Sequence, residues 1–314
     1  MSVIRVCFFG TPDFAARHLE ALLKDDHFEV VGVVTQPDRP AGRKMQLTPS
    51  PVKVLAEKNS IPVFTPENLK KEPEYLEKLN LLKAEIGVVV AFGQILSEDY
   101  LKLFEFGCVN VHGSLLPLWR GAAPIQRSIE AGDRVSGVSL QRMVLKLDAG
   151  PVIGERVVEL DQEINSVQLY DKLAELGCQL LEVEMMDYIR GNLAPRLQDE
   201  SKVTFAKKID KAESHLDLSL SAEILHNKVR AFIMGPGCYV LFQGKRLKIH
   251  KTSVLHQASL GQAGRIHFVD ANELHLQVGK GILSLLEVQP ESKAKMLISD
   301  FLKSHHLKKG DVFG

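Results

Sequence analysis

The amino-acid sequence predicts an α/β first part, built on a mostly parallel sheet with helices on both faces, and a small antiparallel β-barrel after it. Short apolar runs alternate with helix-like segments as far as about residue 190, which is typical of parallel strands covered on both faces. A polar stretch with a proline follows at 192–208. Beyond it, glycine turns separate five short strand-like runs within about 75 residues, the pattern of a small barrel.

The strands and helices of the first part follow each other in a regular order. β-Branched, apolar runs lie at 3–10, 28–36, 61–66, 86–92 and 108–113, and helix-like segments lie at 13–25, 50–59 and 97–104. Further along we expect a helix at 121–133, two paired strands at 135–144 and 150–160, and a long amphipathic helix from about Ser166 to Arg190. This alternation predicts a Rossmann-like sheet.

The second part has a different pattern. One helix-like stretch, 221–233, precedes strand-like runs at 237–244, 245–253, 264–270, 273–279 and 281–290, which predict an OB-like β-barrel. The expected organisation is therefore a catalytic domain over 1–191, a linker over 192–208 and an OB-like domain over 209–314.

Composition narrows the class of protein. The 314 residues are enough for two domains, and 45% hydrophobic with 25% charged residues is ordinary for a globular protein. Since no apolar run reaches the roughly 18 residues that span a bilayer, and the N-terminus does not resemble a signal peptide, we expect a cytoplasmic protein without a membrane segment. The four cysteines have no C-x-x-C spacing and are expected to be free thiols.

The zero net charge hides an asymmetry between the two parts. From residue 206 onward there are 16 Lys+Arg against 10 Asp+Glu, whereas the first 205 residues hold 23 against 29, out of 39 of each. A mildly basic C-terminal part is consistent with a polyanionic partner and equally with a solvated surface.

The candidate chemistry lies at the end of the fifth strand, in the stretch NVHGSLLP. Residues two apart on a strand face the same way, so Asn110 and His112 are expected to project together from the carboxyl end of the sheet, where ligands collect. Asn110 is suited to stabilising an oxyanion and His112 to moving a proton. Asp148, at a turn after a later strand, is the best third partner. The alternative is that these side chains bond only loop backbone and turns.

Several common site types are excluded by their motifs. Ser114 does not lie in G-x-S-x-G, the opening turn FFGTPDFA is not G-x-G-x-x-G, and no P-loop is present. His112 has no partner at metal-ligand spacing, so no metal is expected. What remains is acyl or formyl transfer without a covalent intermediate.

A second candidate is the loop TQPDRPAGRKMQLTPSPVK, 35–53. It is too polar and too rich in proline and glycine for a regular element, and it carries Arg39, Arg43, Lys44 and Lys53. It is either a mobile surface loop or a basic flap that contacts phosphates.

Several stretches together resemble one family, the methionyl-tRNA formyltransferases. They are FFGTPDFA, TQPDRPAGR, LTPSPVK, VVVAFGQIL, NVHGSLLPLWRGAAPIQRSIEAGD, GVSLQRMVLKLDAGPVI, FAKKI and GKRLKI, and they extend over nearly the whole chain. The resemblance implies transfer of a formyl group from 10-formyltetrahydrofolate to the α-amino group of methionine on initiator tRNA, without a metal. It implies a cytoplasmic enzyme of translation initiation, which we expect to be a monomer.

The resemblance also implies roles for individual residues. Asn110, His112 and Asp148 fall on the family's catalytic trio. The folate site falls on Ser114, Leu115, Leu116, Pro117, Phe92, Gly93 and Gln94. The expected tRNA contacts are Arg43, Lys44, Lys207, Lys208, Arg246 and Lys248. Lys44-Met45-Gln46 departs from the family's Gly-Lys-Lys-like stretch, which removes a positive charge from the loop.

Four other functions fit part of this pattern. Folate-dependent formyltransferases that act on glycinamide ribonucleotide or on an amino sugar share the first domain and the trio, as does a formyltetrahydrofolate hydrolase. A non-catalytic tRNA-binding protein would use the barrel alone, but it has no need of Asn110 and His112 together.

Overall fold

The computed structural model describes residues 3–41, 45–255, 257 and 261–314. These form two compact units. The first comprises Met1–Gly121, Ser136–Val158 and Tyr170–Phe205, and the second comprises Ala122–Val135, Glu159–Leu169 and Ala206–Gly314. Two segments of the predicted first domain thus belong to the second unit. The expected domain boundaries therefore stay a prediction.

The first half of the chain alternates strands and helices as expected. Its elements are β1 Ile4–Gly10, α1 Asp13–Lys24, β2 Phe28–Val34, β3 Arg39–Ala41, β4 Gln46–Thr48, α2 Pro51–Lys58, β5 Val63–Phe64, α3 Glu74–Leu81, β6 Ile86–Val90, α4 Glu98–Leu101 and β7 Cys108–His112. The strand β6 is buried along its whole length, as continuous apolar strands of a covered sheet should be. The helix α2 begins where Ser50 Oγ accepts from Lys53 N at 3.0 Å and Pro51 occupies its first turn.

The chain continues with β8 Arg120–Gly121, α5 Pro124–Ala131, β9 Val135–Arg142, β10 Val152–Glu159, α6 Ser166–Glu182, α7 Glu184–Ile189 and β11 Phe205–Ala206. Seven strands form one sheet in the order β10-β9-β7-β6-β1-β2-β5. Neighbours among β7, β6, β1, β2 and β5 are parallel, and β9 is antiparallel to β7. The predicted mostly parallel sheet is confirmed.

The second unit contains α8 Ala222–Ala231, β12 Cys238–Phe242, β13 Lys245–Leu255, β14 Ile266–Val269, β15 Leu274–Gln277, β16 Ile282–Pro290, β17 Met296–Leu297 and α9 Ile298–Lys303. Its strands pair antiparallel in the order β12-β13-β16-β15-β14, with β17 beside β16. This is the predicted antiparallel sheet.

The last four residues connect the two outer strands of that sheet. Gly314 N donates to Leu241 O of β12 at 3.0 Å, Phe313 N donates to Gly264 O at 2.7 Å, and Ile266 N of β14 donates to Asp311 O at 2.8 Å. Because otherwise unpaired strand edges are satisfied in this way, the tail closes the sheet into a small barrel.

Three expectations about elements were wrong. The long helix is two helices that meet at Val183. The loop 35–53 contains the antiparallel pair β3 and β4, so it is not devoid of regular structure. The helix α3 was missed because its sequence is rich in charge and only Leu79 of it is buried.

Candidate active site

Neighbouring strands bring the three predicted catalytic side chains together at one edge of the sheet. Asn110 and His112 lie two residues apart on β7, and Asp148 follows β9, which pairs with β7. The side chain of His112 is 8% exposed and that of Asp148 is 15% exposed. The expected convergence of Asn110, His112 and Asp148 is therefore present in the structure.

The imidazole of His112 lies between a backbone carbonyl and a carboxylate. Its Nε2 is 3.0 Å from Trp119 O, and since a carbonyl only accepts, Nε2 carries a hydrogen. Its Nδ1 is 3.8 Å from Asp148 Oδ2, which is the distance of an ion pair and too long for a hydrogen bond. A second proton on Nδ1 would face that carboxylate, so the arrangement favours the charged form of the ring.

Asp148 is anchored mainly by groups other than His112. Its Oδ2 accepts from Gly121 N at 2.9 Å and its Oδ1 from Gln141 Nε2 at 3.2 Å. Its backbone is in the left-handed region, at φ 45°, which is uncommon for a residue with a side chain. Two residues on, a Cβ at Gly150 would lie 1.7 Å from Arg142 O, so this turn requires glycine.

Gln141 is a site residue that sequence reasoning missed. It lies opposite Asn110 in the pairing of β7 with β9 and is only 1% exposed. Its Nε2 donates to Asn110 Oδ1 at 3.2 Å as well as to Asp148 Oδ1. Only knowledge of the strand register would have placed it there, and the sequence does not contain that information.

The amide of Asn110 has a defined orientation. Because its Oδ1 accepts from Gln141, its Nδ2 must point the other way, where one N–H donates to Val89 O at 2.9 Å. Among the described contacts the second N–H of Nδ2 is not engaged, so it can donate to a ligand.

The turn Ser114–Pro117 is held rigidly, and only part of it is open to a ligand. Ser114 Oγ donates to Leu118 O at 2.6 Å, while Ser139 Oγ accepts from Leu116 N at 3.0 Å. Ser114 and Leu116 are buried, whereas Leu115 and Pro117 are partly exposed. The first pair therefore shapes the turn, and Leu115 and Pro117 offer apolar surface.

The loop at Phe92–Gln94 is anchored by its own polar contacts. Thr11 Oγ1 and Gln36 Nε2 donate to Phe92 O at 3.1 and 3.3 Å, and Gln94 Nε2 donates to Pro66 O at 2.9 Å. The ring of Phe92 is 2% exposed and packs edge-on against Phe9, with ring centroids 5.6 Å apart. Gly93, at φ 83°, is exposed. Backbone near Gly93, and not the Phe92 ring, is what this loop presents.

Comparison with known proteins identifies the family. The sequence model of formyl transferases matches residues 4–184, and that of the formyl transferase C-terminal domain matches residues 208–306. The chain belongs to the formyl transferase family. This formyl transferase is 59% identical, over 100% of both chains, to a protein of Bdellovibrio bacteriovorus named methionyl-tRNA formyltransferase.

Solved structures resemble the formyl transferase in fold. The N-formyltransferase of Helicobacter canadensis, solved with folinic acid and dTDP-3-aminofucose, superposes with a TM-score of 0.68 at 21% identity and covers 90% of this chain and 99% of its own. HypX from Aquifex aeolicus, solved with tetrahydrofolic acid, gives 0.65 at 16% identity, with 100% of this chain and 51% of that one covered.

The cationic residues predicted for a nucleic-acid partner are only partly described. Lys207, Lys208, Arg246 and Lys248 are exposed, and the Arg246 guanidinium lies 4.6 Å from the centroid of the Tyr239 ring. Arg43 and Lys44 lie outside the described residues.

Two other cations of the formyl transferase's basic loop already have partners. Arg39 pairs with Glu67 at 3.1 Å and Lys53 with Asp38 at 3.0 Å. These two ion pairs reduce the positive charge that the loop offers to a phosphate.

Searches for other site types cover the described part of the chain. There, no helix is both long and apolar enough to cross a membrane, and no group of three or more His, Cys, Asp or Glu side chains is arranged to hold a metal ion. The four cysteines are free, and burial raises the pKa of Cys108 to about 12, so this thiol stays protonated and unreactive.

Proposed function

We propose that this formyl transferase moves the formyl group of 10-formyltetrahydrofolate to the α-amino group of methionine on initiator tRNA, in the cytoplasm and as a monomer. The observation that carries the proposal is the oriented amide of Asn110, whose second N–H lies at the same strand end as His112 and Asp148. The full-length relative at 59% identity supports the acceptor.

The chain's own groups fit a formyl donor. Leu115 and Pro117 offer an apolar wall, and the anchored loop at Gly93 offers backbone polar groups beside it, as expected for a flat ring with hydrogen-bonding edges. The donor supplies an activated formyl carbon when it is bound. Phe92, Ser114 and Leu116 are proposed to shape this site from below, and Gln94 to fix its loop.

The trio then has a simple division of labour. Asn110 donates its second N–H to the formyl oxygen as that oxygen gains negative charge. His112, held by Trp119 O, donates to the same oxygen or carries a proton. Asp148 stabilises the protonated ring and accepts a proton from the attacking amine through water. The amine must attack unprotonated, and a model α-amino group has a pKa of about 8.

The second unit is proposed to hold the tRNA. On β13 the exposed Arg246 and Lys248 alternate with the buried Leu247 and Ile249, so both cations lie on one face. Lys207 and Lys208 are proposed to extend this surface, and Arg43 and Lys44 to reach the acceptor end. An arginine stacked on Tyr239 offers both charge and an aromatic face, which are the groups that RNA-binding surfaces use.

The proposal is tested by consumption of the donor with a panel of acceptors. We expect rapid release of tetrahydrofolate with methionyl initiator tRNA, and rates at least about 100-fold lower with glycinamide ribonucleotide, an amino-sugar nucleotide or water alone. Equal turnover without any amine would indicate a hydrolase, and turnover with a small amine alone would indicate one of the other formyltransferases.

Replacing Arg246 and Lys248 together by alanine is expected to raise KM for tRNA about tenfold or more at physiological salt. The slope of log affinity against log salt should fall by about one for each phosphate contact removed. The measurement is steady-state kinetics at several salt concentrations, with Lys102→Ala, an exposed lysine of the first unit, as the control. An equal rise in KM for the donor would contradict the assignment.

A further inference from the structure

The segment Gln198–Thr204, called the strap below, was expected to be part of a polar linker. Instead it is hydrogen-bonded to two loops of the first unit. One is the loop that carries Asp148, and the other is the loop at Pro117–Gly121 that follows the Ser-Leu-Leu-Pro turn. These loops position Asp148 and the Trp119 carbonyl that contacts His112.

Gln198 makes the most direct contact with the first of these loops. Its Nε2 donates to Asp148 O at 2.8 Å and to Gly150 O at 2.6 Å. The two bonds clamp the turn on either side of Ala149, where Asp148 adopts its left-handed backbone conformation. Such a conformation persists only where its surroundings determine it, and Gln198 provides two of the hydrogen bonds that do so.

The other end of the Gln198 amide is held by Arg120. Arg120 is 1% exposed, and its Nε and Nη2 donate to Gln198 Oε1 at 3.1 and 2.8 Å. Because a guanidinium only donates, Gln198 must present its oxygen to Arg120 and its nitrogen to the two carbonyls. The orientation of the amide is thus fixed from both sides.

Glu200 provides the countercharge for Arg120. Its Oε1 accepts from Arg120 Nη2 at 2.7 Å and its Oε2 from Lys146 Nζ at 2.6 Å. Hydrogen bonds from Arg120 and then Lys146 lower the pKa of Glu200 to about 2, so it is ionised at any working pH. Glu200 therefore stabilises the charge of Arg120 but does not touch the Asp148 turn, whereas Gln198 does.

Thr204 ties the strap to the second loop. Its Oγ1 accepts from Trp119 N at 2.8 Å and its carbonyl from Arg120 N at 3.0 Å. Trp119 has a positive φ of 60°, and its own carbonyl accepts from His112 Nε2. The strap thus supports the backbone next to both His112 and Asp148.

We propose that Gln198 is a positioning residue for formyl transfer, which sets the carboxylate of Asp148 by clamping the turn that carries it. This inference rests on the proposed function of the trio. Gln198 does not touch the reacting groups. It acts through the backbone of Asp148, so its loss lowers kcat and leaves substrate affinity nearly unchanged.

Two variants separate positioning from simple stability. Gln198→Glu keeps an acceptor for Arg120 but places an oxygen against the carbonyls of Asp148 and Gly150, so we expect kcat to fall about 10- to 100-fold. Its new ion pair with Arg120 offsets the lost bonds, so the melting temperature should stay within about 3 °C. Glu200→Gln should do the reverse, with a melting temperature lowered by about 3 °C or more and kcat within about threefold.

The experiment measures kcat, both KM values and the melting temperature for the wild type, the two variants and Gln198→Leu, which removes the clamp without adding charge. Asp199→Asn is the control, since Asp199 bonds only within the strap, to Ser201. We expect Gln198→Leu to lose kcat as Gln198→Glu does, with KM values within about twofold.

Gln198→Glu with wild-type kcat overturns the inference, and so does a loss of kcat that follows the loss of melting temperature across all the variants. A wild-type protein that does not formylate methionyl-tRNA overturns the proposed function, and the inference with it.

Discussion

Replacing His112 by alanine is expected to lower kcat of formyl transfer by about 10²–10⁴-fold, the usual contribution of a positioned proton carrier. The change removes the ring that lies between Trp119 O and Asp148 Oδ2, so the charge on the formyl oxygen and the proton of the amine both lose a partner. Because the ring is not part of the apolar wall, KM for the donor should change little. Steady-state kinetics with charged initiator tRNA measure both quantities.

A matched control for this variant is His27→Ala. His27 also forms a pair with an aspartate, Asp25, at 2.7 Å, but its side chain is 58% exposed. It should therefore keep wild-type kcat. If His112→Ala retained turnover close to that of the wild type, the role assigned to the trio would be wrong.

Replacing Asn110 by alanine is expected to lower kcat by about 10²–10³-fold, as loss of one oxyanion donor does. The loss should appear equally in kcat/KM, since the second N–H of Asn110 is proposed to donate mainly in the transition state. The variant also leaves Val89 O and Gln141 Nε2 without a partner, so its melting temperature should be measured alongside.

Asn59→Ala is the control for that side effect. Asn59 also donates its amide to a backbone carbonyl, Leu55 O at 2.8 Å, but it lies on an exposed helix end. A kcat loss at Asn110 no greater than that of the control would contradict its assignment as an oxyanion donor.

Much of the first unit could be predicted because its strands are buried on both faces. Residues such as those of β1 and β6 are apolar without interruption, and this pattern survives in the sequence alone. The pairing of Asn110 with His112 followed from the period of two along β7. Asp148 was reachable because it follows a strand that pairs with the next.

The parts that could not be predicted depend on register and on long-range hydrogen bonds. Gln141 has its role only because β9 places it opposite Asn110, and Gln198 only because the strap folds back over a turn 50 residues earlier. In the sequence both are single polar residues without a periodic pattern. The pair β3 and β4 was missed because its residues are mostly polar or lie next to Pro40.

The most direct test of the account is to follow a ¹³C-labelled formyl group from 10-formyltetrahydrofolate into product. The wild type is incubated with methionyl initiator tRNA, the tRNA is digested with nuclease, and the aminoacyl-adenosine is analysed by mass spectrometry. We expect the label on the α-nitrogen of methionine with the wild type and its near absence with Asn110→Ala or His112→Ala. Recovery of the label as free formate, or on methionine to the same extent with all three proteins, would contradict the account.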